Sequence, residues 1–269
     1  MKIFLTWLNL LYQEVPHFIT IVCFYLIFAI LEWKIPAQAK QSISGRIRNI
    51  TYTVIYFLAG FALLSMITFN LPWPEPLNIP ESFLTSFLYC LLYIFIMDFF
   101  FYWYHRAQHK FALLWPIHEL HHSDSELNST SSIRTYWLEL PIQVILISLP
   151  TIYILNPSSA SMKLLPVILT AWLFFTHANL RLSLGVLTSI FCGPQLHRIH
   201  HSKKKKHHNK NFAQFFPIYD LIFGTYYKPS KNEYPETGTF MLQCNASISY
   251  VVKRPFKIWW KKLREFILS

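Results

Sequence analysis

The sequence predicts an all-α integral membrane helical bundle of four or five spans, with a cytoplasmic, histidine-rich metal-binding cap. Three observations lead there. The 269-residue chain is 53% hydrophobic and 18% aromatic, but only 14% charged, against about 25% in a soluble domain. Its apolar residues gather in runs approaching the roughly 20 residues that a span requires. Eleven of the twelve histidines fall between His105 and His208, in spacings that place ring nitrogens on one helical face.

The elements follow in order. Met1-Lys2 opens an apolar stretch broken by Gln13, Glu14 and Pro16, with no small-residue cleavage site, so a retained interfacial helix is expected there. Phe18–Trp33 is a slightly short first span, Thr51–Phe69 a second and Phe83–Tyr104 a third. Leu140–Leu155 and Leu164–Thr176 are a short fourth and fifth, joined by Asn156-Pro157-Ser158 as a hairpin that need not cross fully. No internal repeat or low-complexity linker divides the chain. Residues 1–82 are read as N-terminal membrane helices, 83–227 as the catalytic region and 228–269 as a basic amphipathic tail. Within the tail, Val251–Leu268 alternates aromatic and aliphatic residues with Lys and Arg, a pattern suited to a membrane surface.

The net charge of +11 is distributed for a membrane and not for nucleic acid. Lys34, Lys40, Arg46 and Arg48 follow the first span, and Arg106, Lys110 and Arg134 follow the third. Lys203–Lys206, Lys210 and the Lys253–Arg264 group follow the last, whereas Asn70–Ser82 holds no Lys or Arg and Lys163 stands alone near the hairpin. This alternation places the histidine clusters and the C-terminus on the cytoplasmic side. Cys23, Cys90, Cys192 and Cys244 have no CxxC spacing and read as small hydrophobes.

Three clusters carry the chemistry: His105-x3-His109, His118-x2-His121-His122 and His197-x2-His200-His201. On a continuing helix Asp98, Tyr102, His105 and His109 share one face, so Asp98, deep in a span, is expected to orient a ligand histidine. Trp115-Pro116 can start the helix of the second cluster. His177 ends the fifth span and is returned to the same face by the hairpin; His208 is within reach, His207 is not expected to join the site, and the lysine run is expected to be solvated. Eight or more histidines are too many for one zinc and enough for two ions. Imidazole alone suits Fe, Zn, Cu and Ni alike. A greasy approach to such a site suggests O2 activation on a lipid. A non-redox membrane metalloprotein, zinc-dependent for example, is the competing class.

These motifs resemble, in order from Asp98 to Tyr226, the fatty acid hydroxylase/sterol desaturase superfamily of membrane di-iron enzymes. The resemblance covers His105-Arg106-Ala107-Gln108-His109, His118-Glu119-Leu120-His121-His122, Leu127-Asn128, Arg134, Glu139 and His177-Ala178-Asn179. It continues through Pro194-Gln195-Leu196-His197-Arg198-Ile199-His200-His201, Asn211-Phe212 and the Asp220-x3-Gly224-Thr225-Tyr226 tail. It implies two non-haem Fe ions held by the eight cluster histidines with His177 as a ninth, and O2 as co-substrate; His208 is a further candidate ligand from its position alone. It further implies a lipid substrate and a separate electron donor of cytochrome b5, ferredoxin or reductase type. Asp98, Glu139 and Asn179 are the polar candidates beside the ligands, with Arg134 and Glu139 also read as an ion pair holding the fourth span. Membrane acyl desaturases share three histidine boxes but lack the Phe-Gly-Thr-Tyr tail. This chain departs from the family pattern at Arg134–Glu139 and at Asn209–Ala213 without losing a ligand.

Overall fold

The computed structural model describes residues 19–39, 41–67, 75, 82–156 and 165–268. The expected interfacial helix and most of the hairpin turn lie outside these residues. The described residues form helices and loops with two isolated β-bridges and no strand. Helix α1 covers residues 19–34, α2 Ile43–Ile67, α3 Phe83–Lys110 and α4 Trp115–His122. Helix α5 runs Glu139–Leu155, α6 Leu165–His177, α7 Pro194–His200, α8 Ile218–Ile222 and α9 Ile248–Leu268.

Helices α2 and α3 are long and apolar enough to cross a membrane. The 28 residues of α3 rise about 42 Å, more than a hydrocarbon core of about 30 Å. Both present apolar side chains outward, among them Leu58, Phe61 and Met66 on α2 and Phe83, Leu84 and Leu88 on α3. Contiguous apolar surface of this kind marks contact with lipid or protein. Helices α5 and α6, expected as the fourth and fifth spans, are each shorter than 18 residues. In α5 Pro150 has no N–H to give, and the preceding turn, Val144–Ser148, widens into a π turn in which the Leu149 N–H donates to the Val144 carbonyl.

Buried polar residues tie the helices together beside the histidines. Glu32, at the end of α1, accepts from the Ser129 and Asn179 backbone N–H groups at 2.6 and 2.9 Å and pairs with Arg46 at 2.7 Å. Asn49 of α2 donates to Asp124 at 2.9 Å and accepts from Arg134 at 2.9 Å. Arg134 also donates to the Leu120 carbonyl and to Ser123. The expected Arg134–Glu139 pair therefore does not form: Arg134 points back to α2 and α4, and Glu139 accepts instead from Gln108 at 2.9 Å and Gln143 at 3.3 Å.

Apolar contacts complete the frame. Tyr52, Ile117, Leu120, Tyr136, Leu242 and Val251 join α2, α4 and α9, while Cys90, Tyr93, Ile94, Leu155, Leu165 and Phe215 join α3, α5 and α6. Helices α2 and α5 meet at Gly60, where an added Cβ would stand 2.9 Å from Leu140 Cβ and 3.0 Å from the Trp137 carbonyl oxygen. Replacing Gly60 with Val is predicted to destabilise the protein by about 1–3 kcal/mol through overpacking. Denaturation in mild detergent, followed by tryptophan fluorescence, measures it; an unchanged midpoint would show that α2 and α5 separate freely.

Candidate metal centre

Four helices deliver the histidines. The last turns of α3 place His105 and His109 on one face. Pro116 lies in the first turn of α4, where its missing N–H costs no hydrogen bond, and the helix then presents His118, His121 and His122. Helix α6 ends on His177. Helix α7 starts at Pro194 and carries His197 and His200, with His201 closing it.

The nine rings fall into two groups, His105, His109, His118, His122 and His200 in one and His121, His177, His197 and His201 in the other. Within each group the potential ligand nitrogens all lie within 4.8 Å of one another. His122 Nε2 stands 3.1 Å from Nε2 of each of His109, His118 and His200. In the other group His177 Nε2 stands 3.1 Å from His121 Nε2 and 2.9 Å from His197 Nε2, and His197 Nε2 is 3.1 Å from His201 Nε2. The groups adjoin, with the rings of His122 and His201 stacked at 4.3 Å. A ring nitrogen offers one proton or one lone pair. It cannot satisfy three others by hydrogen bonding. Nitrogens bound cis at about 2.1 Å from one cation stand about 3.0 Å apart, which is the spacing found here. The donor set therefore fits metal ions.

The opposite edges of several rings are fixed by the fold. His105 Nδ1 donates to the Phe212 carbonyl at 2.7 Å, His177 Nδ1 to the Leu173 carbonyl at 2.9 Å and His200 Nδ1 to the Lys210 carbonyl at 2.8 Å. Each bond puts the proton on Nδ1 and leaves the Nε2 lone pair facing the group. His105 Nε2 has no hydrogen-bond partner at all, though it is buried. Lys210 lies between Asn209 and Asn211, both at positive φ (58° and 59°), a conformation Asn adopts more readily than most residues. Glu139 lies 3.5 Å from His118 Nδ1, close to the ring but with neither facing atom in a hydrogen bond.

The other polar candidates take different places. Asp98 touches no histidine; its carboxylate accepts from the backbone N–H groups of Gln214, Phe215 and Phe216 at 2.9, 3.1 and 2.7 Å. Asp220 treats the adjoining residues alike, accepting from the Phe212 and Ala213 N–H groups at 2.8 and 2.9 Å. The tail motif supports Asp220: Gly224 at φ 74° turns the chain so that Thr225 and Tyr226 N–H return to the Asp220 carbonyl, and the Thr225 hydroxyl donates to its carboxylate at 2.6 Å. Together the two aspartates fix the strip whose Phe212 carbonyl holds His105. Asn179, just after α6, bonds Gln38 and Glu32, joining the end of α6 to the end of α1 and the segment that follows it. His208 is exposed and belongs to neither group, while His207 is buried against Glu233 at 3.1 Å. Sequence reasoning gave no role to Gln108, Glu32 or the three carbonyl acceptors. A carbonyl carries no residue-type signal, and only the polarity of Gln108 and Glu32 beside apolar runs marks them.

Among the described residues, cavities reach the rings from two sides. One, of about 310 Å³, is walled by Tyr56, Phe57, Met97, Phe101, Leu169 and Leu173 and touches His105, His118, His121, His177 and His197. The other, of about 320 Å³, reaches His109, His122 and His200 past Lys203, His208 and Thr239. Mostly apolar walls around convergent polar groups give the first the make-up common to ligand cavities.

Burial holds the imidazoles of His118, His121, His122, His197 and His201 well below their ordinary pKa and brings His200 to about 4, its bond to Lys210 pulling the other way. Neutral imidazole is the form that binds metal. Above about pH 6.5 these rings are neutral folded or unfolded; as pH falls toward about 4 the unfolded chain takes up protons that the folded site refuses. Metal-free protein is thus predicted to lose stability across that window, as an unfolding titration would record; a flat profile would mean the rings titrate as if exposed. Glu139→Leu, which removes the acceptor of Gln108 and Gln143 beside His118, is predicted to weaken metal affinity about 10–100-fold; chelator competition measures it, and unchanged affinity would remove Glu139 from the site.

The Fatty acid hydroxylase family profile matches residues 90–225. Human (Homo sapiens) alkylglycerol monooxygenase is 30% identical over 262 residues, covering 92% of this chain and 54% of that protein. Ornithine lipid hydroxylase OlsE of Rhizobium tropici is 32% identical over 149 residues, 53% of this chain and 43% of that protein. A very-long-chain aldehyde decarbonylase of Oryza sativa subsp. indica is 29% identical over 157 residues, 55% of this chain and 25% of that protein. The chain spans about half the length of the curated relatives it matches, or less. No solved structure matches it. The profile covers half the chain and contains all nine gathered histidines, so the chain belongs to the fatty acid hydroxylase family.

Proposed function

We propose that this chain is a membrane-bound di-iron oxygenase that hydroxylates, or desaturates, a C–H bond of a lipid. The observation that carries the reading is the pair of adjoining histidine groups with an apolar cavity opening onto them. His105, His109, His118, His122 and His200 would hold one iron and His121, His177, His197 and His201 the other. Iron held there would supply the redox chemistry needed to split O2 and attack an unactivated C–H bond. Hydroxylation balances as lipid C–H, O2, two electrons and two protons giving alcohol and water, with the electrons from a separate carrier of cytochrome b5, ferredoxin or reductase type. The cavity walls exclude water from the reacting carbon.

In this reading residues 83–227 form the catalytic region, four or five apolar segments sit in the bilayer, and the histidines and C-terminus face the cytoplasm. The basic residues flanking the apolar helices support that orientation. Lipids in the names of two relatives support the substrate class.

Iron-loaded protein in lipid nanodiscs, given reductant and a panel of alkylglycerols, ornithine lipids and fatty acids under 18O2, is expected to put one labelled oxygen into a lipid product. Oxygen taken from water instead, or no product with any lipid, would contradict the proposal. His121→Ala and His200→Ala are each expected to abolish turnover and lower bound iron while leaving membrane insertion intact. Lys204→Ala, at an exposed position, is expected to leave both unchanged; iron loss in that variant would place the basic run in the metal site.

A further inference from the structure

We propose that α9 is a lipid-surface strap: its exposed apolar stripe seats on an anionic leaflet, and Arg254 carries that seat to the metal-ligand helix α4. Phe256, Trp260, Leu263 and Ile267 recur at i, i+4, i+7 and i+11 on one face and remain 48, 63, 49 and 69% exposed. Lys253, Lys257, Lys261 and Arg264 form the neighbouring stripe. The helix carries six cations against the single acid Glu265.

The position of α9 indicates what covers it. At its N-terminal approach the Cys244 carbonyl accepts from Arg48 at 2.6 Å, in the second turn of α2. Farther along, the Trp259 indole donates to the Leu113 carbonyl at 2.9 Å, just beyond the end of α3. Helix α9 therefore lies where both long apolar helices have their ends. Phe111 and Leu113, 53 and 64% exposed, extend its apolar surface toward α3. A second copy would bring another cationic helix against this one. An anionic bilayer answers both stripes, since apolar side chains enter the acyl boundary and lysines meet headgroups.

The strap also holds α4, which at eight residues is too short to be stable through its own backbone. The ligand side of α4 carries His118, His121 and His122. Its other residues, Ile117 and Leu120, cluster with Val251 of α9, and Glu119 receives Arg254 in a bidentate pair at 2.9 and 3.2 Å. Glu119 is 1% exposed, so the pair is sealed on that side. Arg254 is thus a positioning residue that acts on the metal ligands through α4.

The test uses the full chain in nanodiscs with Cys23 and Cys244 replaced by Ser and a nitroxide at Leu263→Cys or Lys261→Cys. Phosphatidylcholine discs, with and without phosphatidylglycerol, are compared by electron paramagnetic resonance. In the anionic discs the label at 263 is expected to be open to O2 and shielded from a water-soluble nickel chelate, with the reverse at 261; neutral discs should reduce the contrast. Shielding of 263 from both reagents would mean a protein partner, and free access to nickel would mean water; either overturns the seat. This measurement is independent of which metal the histidines bind. The coupling rests on the iron reading and has its own readout, iron loss to a chelator. Arg254→Gln is expected to speed that loss about tenfold. A Lys253→Gln, Lys257→Gln, Lys261→Gln triple variant, altered only at exposed positions, should speed it in anionic discs alone. Unchanged loss in both variants would overturn the coupling.

Discussion

A cluster of ring nitrogens that cannot satisfy one another is the constraint on which this structure depends. His122 Nε2 faces three other Nε2 atoms at 3.1 Å, and His177 and His197 each face two at 2.9–3.1 Å. Lone pairs held this close repel, and their burial denies them water. Cations relieve both costs at once. Without them the arrangement would be among the least favourable parts of the molecule.

The surrounding fold keeps those nitrogens together. Carbonyls of Phe212, Leu173 and Lys210 set the tautomers, and the aspartates secure the strip that supplies one of them. Asp98 and Asp220 between them accept five backbone N–H bonds from residues 212–216. An irregular strip of chain is thereby as firmly held as a helix end. The carboxylates influence the metal centre at one remove, through peptide groups.

Nine of the ten histidines named from the sequence stand together, because a ligand is a residue type and helical spacing predicts which rings share a face. Asp98 was recognisable as an anomaly in an apolar run, but its partners are backbone groups more than a hundred residues away, and any residue type offers those. The same holds for Glu32, which binds the N–H groups of Ser129 and Asn179. Arg134 and Glu139 are five positions apart with opposite charges, which favours reading them as a pair; the turn between them sends Arg134 toward Asn49 and Glu139 toward Gln108. The apolar runs gave the helices, while the π turn in α5 required the backbone around Pro150 to be seen.

We propose that the two histidine groups hold two irons that react with oxygen. Mössbauer spectroscopy of detergent-purified protein, loaded anaerobically with iron-57 and analysed for total metal, tests it most directly. About two irons per chain, in a coupled signal that changes on exposure to O2, are expected. Tightly bound zinc that iron cannot displace, with no response to O2, would contradict it.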